Sequence, residues 1–297
     1  MRVLRGWGVK TAEYLFTPEL APLFWPGVAA ALLVAALCAP LSPLVVLKRL
    51  SFVGQGVSHA AFGGVGLALY GGALAGASGW TGGMQLVVVV FAVVVGLWIS
   101  VLSRGRATDT AIGIVLAACM AIGFVLYRLA AGELAANGRP APPGIDDVLF
   151  GSVLRVGWGG VWATALATAF VLGSMWWVRR PMIAWAFDEA TAGSLGISGP
   201  GMRAVLLVLL SLAVVATMQI AGVVLATALL VLPGAIGLGV SARLGTVMAI
   251  SLVSAVLGVA GGLVVSFEFG VQTGPAIVLV LLALFGASRL GRVGRGV

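Results

Sequence analysis

Long apolar runs alternate along this chain with short connections that hold most of its charge. No Lys, Arg, Asp or Glu interrupts Leu50 to Ser103, Thr110 to Tyr127, Val156 to Val178, Ala204 to Ala242, Leu244 to Phe267 or Phe269 to Ser288. Each interval holds one or two spans of about 20 residues, the length that crosses roughly 30 Å of hydrocarbon. The pattern predicts an all-α polytopic transmembrane bundle with helices near Pro26 to Leu47, Gly56 to Leu74, Met84 to Ser103, Thr110 to Arg128, Val156 to Val178, Met202 to Ala221, Val223 to Ser241, Leu244 to Phe267 and Thr273 to Leu290. That is nine spans, or eight if the sixth and seventh are continuous. Only Gln219 and Gly222 separate those two, and Pro233-Gly234 offers a second place for a broken or re-entrant helix.

Composition narrows the class further. Hydrophobic residues make up 61% of the chain and charged residues 9%, against about 45–50% and about 25% in soluble domains. This excludes a water-soluble enzyme. The net charge of +8 resides in connections between apolar segments, where lipid headgroups and membrane orientation explain it and nucleic acid does not. Cys38 and Cys119 each lie inside an apolar run without a partner at motif spacing, and read as inert helix residues. The first apolar stretch begins near Trp25 and is long enough to span, which argues against a cleavable signal peptide.

The charges also orient the bundle. Connections after odd-numbered spans hold Lys48, Arg49, Arg104, Arg106, Arg179, Arg180, Arg203 and Arg243, and the tail adds Arg289, Arg292 and Arg295. The opposite side holds Arg128, Arg139 and Arg155, offset by Glu133, Asp146 and Asp147, and the N-terminal Arg2, Arg5 and Lys10. Because Lys and Arg accumulate on the cytoplasmic side, the N-terminus is expected outside and the C-terminus inside. Residues 1–25, with Tyr14, Phe16, Phe24 and Trp25 among Glu13, Glu19 and prolines, suit the membrane interface. The connection Glu133 to Arg155, rich in Pro and Gly, reads as an exposed loop. The connection 179–203 differs: Trp185 to Gly196 has an amphipathic helical pattern, with Asp188 and Glu189 near its start and glycine at its end.

Catalytic apparatus is sparse. His59 is the single histidine, and the nine carboxylates sit at segment ends or in loops. Ser58 cannot be its dyad partner, because helix neighbours point about 100° apart. No GxxxxGK[ST] exists, so the chain has no P-loop of its own. No catalytic residue and no bound cofactor is expected.

His59 still stands out. With the second span entering near Ser51, it lies roughly 12 Å deep, where ionisable groups face a bundle interior and mark a substrate path. Gln55, four residues earlier, shares its face. Imidazole with an amide oxygen can ligate a metal ion, or both can hydrogen-bond a neighbouring helix; the residues alone leave both open. Asp109, in Thr108-Asp109-Thr110 before an apolar run, reads as an N-cap. Glu268, between the last two spans, reads as a loop charge.

Val45 to Val65, with Lys48-Arg49-Leu50-Ser51 leading into Gly54-Gln55-Gly56-Val57-Ser58-His59-Ala60, resembles the signature of the metal-ion (zinc, manganese, iron) permease family of bacterial ABC importers. Thr108 to Gly113, Phe187 to Ile197, Met218 to Pro233 and Thr273 to Ile277 are similar to that family in the same order, so the resemblance covers nearly the whole chain. It implies a single permease domain over residues 1–297, homodimeric or paired, in the bacterial inner (plasma) membrane. It also implies two partners, a cytoplasmic ABC ATPase and an extracytoplasmic metal-binding protein. The transported divalent ion would meet His59 and the residue four before it, and Asp188, Glu189, Leu195 and Gly196 would belong to a cytoplasmic coupling helix within 179–203. Two positions depart from the pattern: Gln55 stands where the family has Asp, and Gly270 where Asp is common before the last span.

The resulting expectation is a membrane-spanning permease importing zinc, manganese or iron, energised by a separate ATPase. Import of a metal chelate or another small solute by the same architecture is the alternative that the loss of the carboxylate at position 55 raises. An intramembrane protease is disfavoured by a histidine without a dyad partner, and a purely structural membrane protein would need no ATPase.

Overall fold

The computed structural model describes residues 9–19, 21–76, 82–102, 108–142, 144, 145, 151 and 156–293. Its helices are α1 (Val9–Phe16), α2 (Ala21–Leu47), α3 (Ser51–Leu74), α4 (Gly82–Leu102), α5 (Thr108–Ala136), α6 (Trp158–Trp177), α7 (Arg179–Phe187), α8 (Glu189–Ser194), α9 (Gly199–Val240), α10 (Leu244–Phe269) and α11 (Thr273–Val293). Among the described residues, nine helices are long and apolar enough to cross a membrane, with α9 contributing two, Gly199–Met218 and Gly222–Val240.

The break in α9 falls at Gly222, whose φ of 75° and ψ of 172° are open only to glycine. Pro233, the other position at which a break was expected, lies inside the second arm. Three boundaries moved by five residues or more. α2 and α3 each start five residues before the expected Pro26 and Gly56, and α5 continues through Arg128 to Ala136. Arg128 is exposed there, and a long side chain near a helix end reaches polar surroundings without ending the helix. The 179–203 connection was expected to hold one amphipathic helix and holds two, α7 and α8, divided at Asp188. Among the charges used for orientation, Arg2, Arg5, Arg104, Arg106, Asp146, Asp147, Arg155 and Arg295 lie outside the described residues, as do the side chains of Glu13, Asp109, Gln219 and Arg292.

The chain forms two compact units. One comprises Met1–Lys48, Leu149–Ser174 and Ala216–Val297. Here α2, α10, α11 and the second arm of α9 pack through small residues. At Gly234 two backbones approach closely: a Cβ would lie 2.5 Å from Pro43 N and from Ser42 O. The Gly234 N–H donates to Ser42 Oγ at 2.7 Å, while Ser251 Oγ donates to Pro233 O at 3.1 Å. These serines, from α2 and α10, tie the backbone at Pro233 and Gly234 to the neighbouring helices. Cys38 is a buried free thiol with its Sγ 3.5 Å from Thr217 Oγ1, and Cys119, in the other unit, is likewise buried and free.

α1 is fixed within this same unit. Glu268 Oε1 accepts both the Thr11 N–H and Thr11 Oγ1–H at 2.9 Å, placing a carboxylate at the positive end of α1. Tyr14 stacks on Phe24 with centroids 4.7 Å apart, and Phe267 meets both edge-on. Glu268 is therefore an N-terminal partner for α1 rather than a free loop charge.

The second unit comprises Arg49–Val148 and Met175–Val215. In it α3 and α5 run parallel and in register, Gly56 meeting Ile112, Gly63 meeting Cys119 and Gly66 meeting Gly123. A Cβ on Gly66 would fall 2.5 Å from Gly123 O, so the two backbones touch directly, as helices do where lipid gives no hydrophobic drive and close packing must hold them together. Phe91 of α4 covers Gly63 and Gly64, and Leu210 of the first α9 arm covers Gly54.

Candidate functional site

The first candidate site is the part of α3 that this packing leaves open. The helix commits its glycine and alanine face to α5, α4 and the first α9 arm, and Gly54, Gly56, Val57, Ser58 and Ala60 are all buried. Gln55 is exposed and His59 half-buried, four residues apart and therefore on one side of the helix. Phe52 is also exposed at 44% and extends the strip by one turn. The buried His59 Nδ1 has no hydrogen-bond partner. Ser58 points elsewhere: its Oγ donates to Gly54 O at 2.9 Å within the helix. The Ser–His pair thus has no nucleophile–base geometry, which removes the protease reading built on it.

Chemically, this strip offers one aromatic nitrogen and one amide oxygen, and no charge of its own. Among the described residues no group of three or more His, Cys, Asp or Glu is arranged to hold a metal. Within the span-length helices the described carboxylates are Glu133 and Glu268, both in the last turn. Glu133 Oε1 accepts from Asn137 Nδ2 at 3.1 Å, and Glu268 serves α1.

The second candidate site is the α7–α8 connection. Asp188 takes an extended conformation, with φ −143° and ψ 100°, and its Oδ1 accepts the N–H groups of Ala190 at 3.0 Å and Thr191 at 3.1 Å. It is the N-cap of α8, and Thr191 Oγ1 donates to its other oxygen. At the far end Ile197 N–H reaches Ala192 O at 3.0 Å and Gly196 N–H reaches Gly193 O at 3.1 Å, with Gly196 at φ 78°. This is a Schellman closure, and it requires glycine at position 196. Between these stops α8 is short and rigidly bounded. Met182, Trp185 and Ala186 of α7 are buried, while Phe187 and Leu195, at 56% and 70% exposure, flank α8 as open apolar side chains. Where α6 meets α7, the Arg179 guanidinium lies 3.7 Å over the Trp176 ring.

Of the residues singled out in the sequence, Gln55 and His59 share one strip, and Asp188, Glu189, Leu195 and Gly196 share one turn-bounded helix. Phe187 was not singled out. Its signal was a large apolar residue directly before the capping Asp, which a search for charged groups passes over.

The ABC 3 transport family model matches residues 21–291. The chain belongs to the ABC 3 transport family. Relatives within reach include the manganese transport system membrane protein MntC of Halalkalibacterium halodurans, 32% identical over 86% of this chain and 82% of that protein. The manganese transport system membrane protein MntB of Synechocystis sp. is 30% identical over 96% of this chain and 86% of that protein. The solved structure of PsaBC from Streptococcus pneumoniae in complex with Fab has the same fold, with a TM-score of 0.78 at 24% identity over 94% of this chain and 95% of that one. The family assignment makes this chain a multi-pass membrane permease of the ABC type, and the nine span-length helices agree with it.

Proposed function

We propose that this ABC 3 family permease imports a divalent metal ion and that α3 lines the route. The cargo follows from the manganese permeases matched over most of their own length. The observation that carries the route is His59, a half-buried imidazole beside exposed Gln55, whose buried Nδ1 has no hydrogen-bond partner within the chain. Such a group in hydrocarbon is costly unless it faces water, a substrate or another polar chain. A second copy of this chain, or a paired permease, would close the open strip of α3 into a channel.

In this reading the 179–203 connection docks into a cytoplasmic ABC ATPase, with α8 as the coupling helix and Phe187 and Leu195 as its apolar contacts. Asp188 and Gly196 act by fixing where α8 starts and stops, and Glu189 adds a charge in its first turn. An extracytoplasmic metal-binding protein delivers the ion at the other end. The N-terminus lies outside and the C-terminus in the cytoplasm, as the Lys/Arg bias supports. ATP binding and hydrolysis on the partner drive alternating access, and the cargo passes as substrate.

Deleting this chain from metal-starved cells tests the function: high-affinity uptake of manganese, zinc or iron should disappear, and normal uptake in a strain without a redundant importer rejects it. Import of a metal chelate is the second reading, favoured by the neutral Gln55 on the same strip. Competition between free and chelated ion in reconstituted vesicles separates the two.

A further inference from the structure

The elbow between α6 and α7 sets two tryptophans beside two arginines, in the run Trp176-Trp177-Val178-Arg179-Arg180. α6 has 20 residues, a rise of about 30 Å, so its ends come to headgroup level. Its buried residues, Val161, Thr164, Thr168 and Val171, share one side, while Leu166, Phe170 and Trp177 are open on the other. Trp176 and Trp177, the last two residues, are 70% and 88% exposed. Rings at the end of a lipid-facing span belong in the interfacial layer, where an apolar body meets acyl chains and an N–H meets headgroups. The Arg179 guanidinium lies 3.7 Å over the Trp176 ring. That contact orients the cation and leaves its N–H donors for an acceptor. Arg180 beside it is exposed. Among the described residues neither guanidinium has a hydrogen-bond or ion-pair partner. The sequence also holds no acid from Val156 to Phe187.

We propose that Arg179 and Arg180 bind the headgroup phosphate of an anionic phospholipid, with Trp176 clamping Arg179 and Trp177 covering the apolar region below the headgroup. Guanidinium is the side chain suited to phosphate, because its planar fork donates two parallel N–H bonds to two oxygens. At the depth of an interfacial tryptophan, the phosphate within reach is that of a lipid. The charge of the elbow selects among lipids: the ammonium of a zwitterionic headgroup would meet positive charge alone, whereas a net negative headgroup meets two cations. This site stands apart from the route along α3 and from the docking of α8.

The test titrates the purified full chain, with the subunits that accompany it, with phosphatidylglycerol and phosphatidylcholine of equal chain length, and reads bound lipid by native mass spectrometry. Wild type should hold phosphatidylglycerol about tenfold more tightly, since each surface arginine supplies roughly fivefold. Arg179→Gln with Arg180→Gln should bring the two lipids level, and Trp176→Leu should lower the preference about threefold. Arg179→Lys with Arg180→Lys keeps the charge without the fork or the ring contact, and should lose part of the preference. Equal affinity in wild type, or a preference that survives the double Gln change, overturns the site. A wild-type preference in the double Lys chain reduces it to unspecific charge and overturns it too. Full displacement of the lipid by inorganic phosphate would assign the arginines to a soluble anion instead. A photo-crosslinking residue replacing Trp177 should attach to lipid in native membranes; attachment to a protein chain overturns the proposal in favour of a protein contact. The wild-type lipid ratio decides the matter by itself should a variant fail to fold.

Discussion

Ser42 Oγ accepts the Gly234 N–H at 2.7 Å, joining α2 to the second arm of α9 at the place where each helix carries proline. Ser42 is completely buried. Ser42→Ala removes a buried hydrogen bond between the two helices, which costs about 0.5–1.5 kcal/mol. Thermal unfolding of the purified chain in detergent should show a lower midpoint for Ser42→Ala. Gly234→Ala should lower it more, since the added Cβ meets the α2 backbone and cannot be accommodated by a rotamer change. Equal midpoints for all three chains would remove the staple from the account.

Gly222 joins the two arms of α9 through a backbone conformation reserved for glycine. Gly222→Ala should destabilise by about 1–3 kcal/mol or force the two arms into a different junction. The checks are the unfolding midpoint and protease sensitivity near position 222. A Gly222→Ala chain with wild-type stability and digestion pattern would contradict the break.

Asp188 fixes the start of α8 through two N–H bonds at an exposed turn. Asp188→Ala should cost about 1 kcal/mol locally and hardly move the global midpoint, while the amount of ATPase that co-purifies falls. Asp188→Asn, which keeps a capping oxygen, should restore most of that association. If Asp188→Ala co-purifies as much ATPase as wild type, α8 is not a docking element.

Much of this fold is legible in the sequence because apolar spans have one dominant constraint, the thickness of hydrocarbon, and charge-free intervals register it directly. The break near Gly222 is legible for a related reason, since Gln219 and Gly222 fall where two span lengths meet in one long interval, while Pro233-Gly234 offered a competing position. Other features are written in three dimensions. Nothing in a linear reading reveals that Ser42 and Ser251 answer the backbone groups around Pro233, because their partners lie far off in the chain. The role of Glu268 at the start of α1 is hidden for the same reason. Asp188 shows how local chemistry can be misassigned: an acid near a helix start favours a continuing helix, yet its side chain competes for backbone N–H groups and begins a new one. At the candidate site the sequence supplied His59 and Gln55 and their shared face. Packing added that α3 buries its small residues and leaves that side open.

Import along α3 requires His59 to face a watered route rather than lipid. Its most direct test replaces His59 with cysteine in a chain whose Cys38 and Cys119 have been changed to serine, and measures reaction with a charged, membrane-impermeant thiol reagent in the assembled transporter. A cysteine replacing Leu166, an exposed residue on α6, serves as the lipid-facing control. Prompt labelling at position 59, slowed by added metal ion, with an unreactive control, is the predicted result. A position 59 as unreactive as the control, through both ATP-free and ATP-driven states, would exclude this side of α3 as the route.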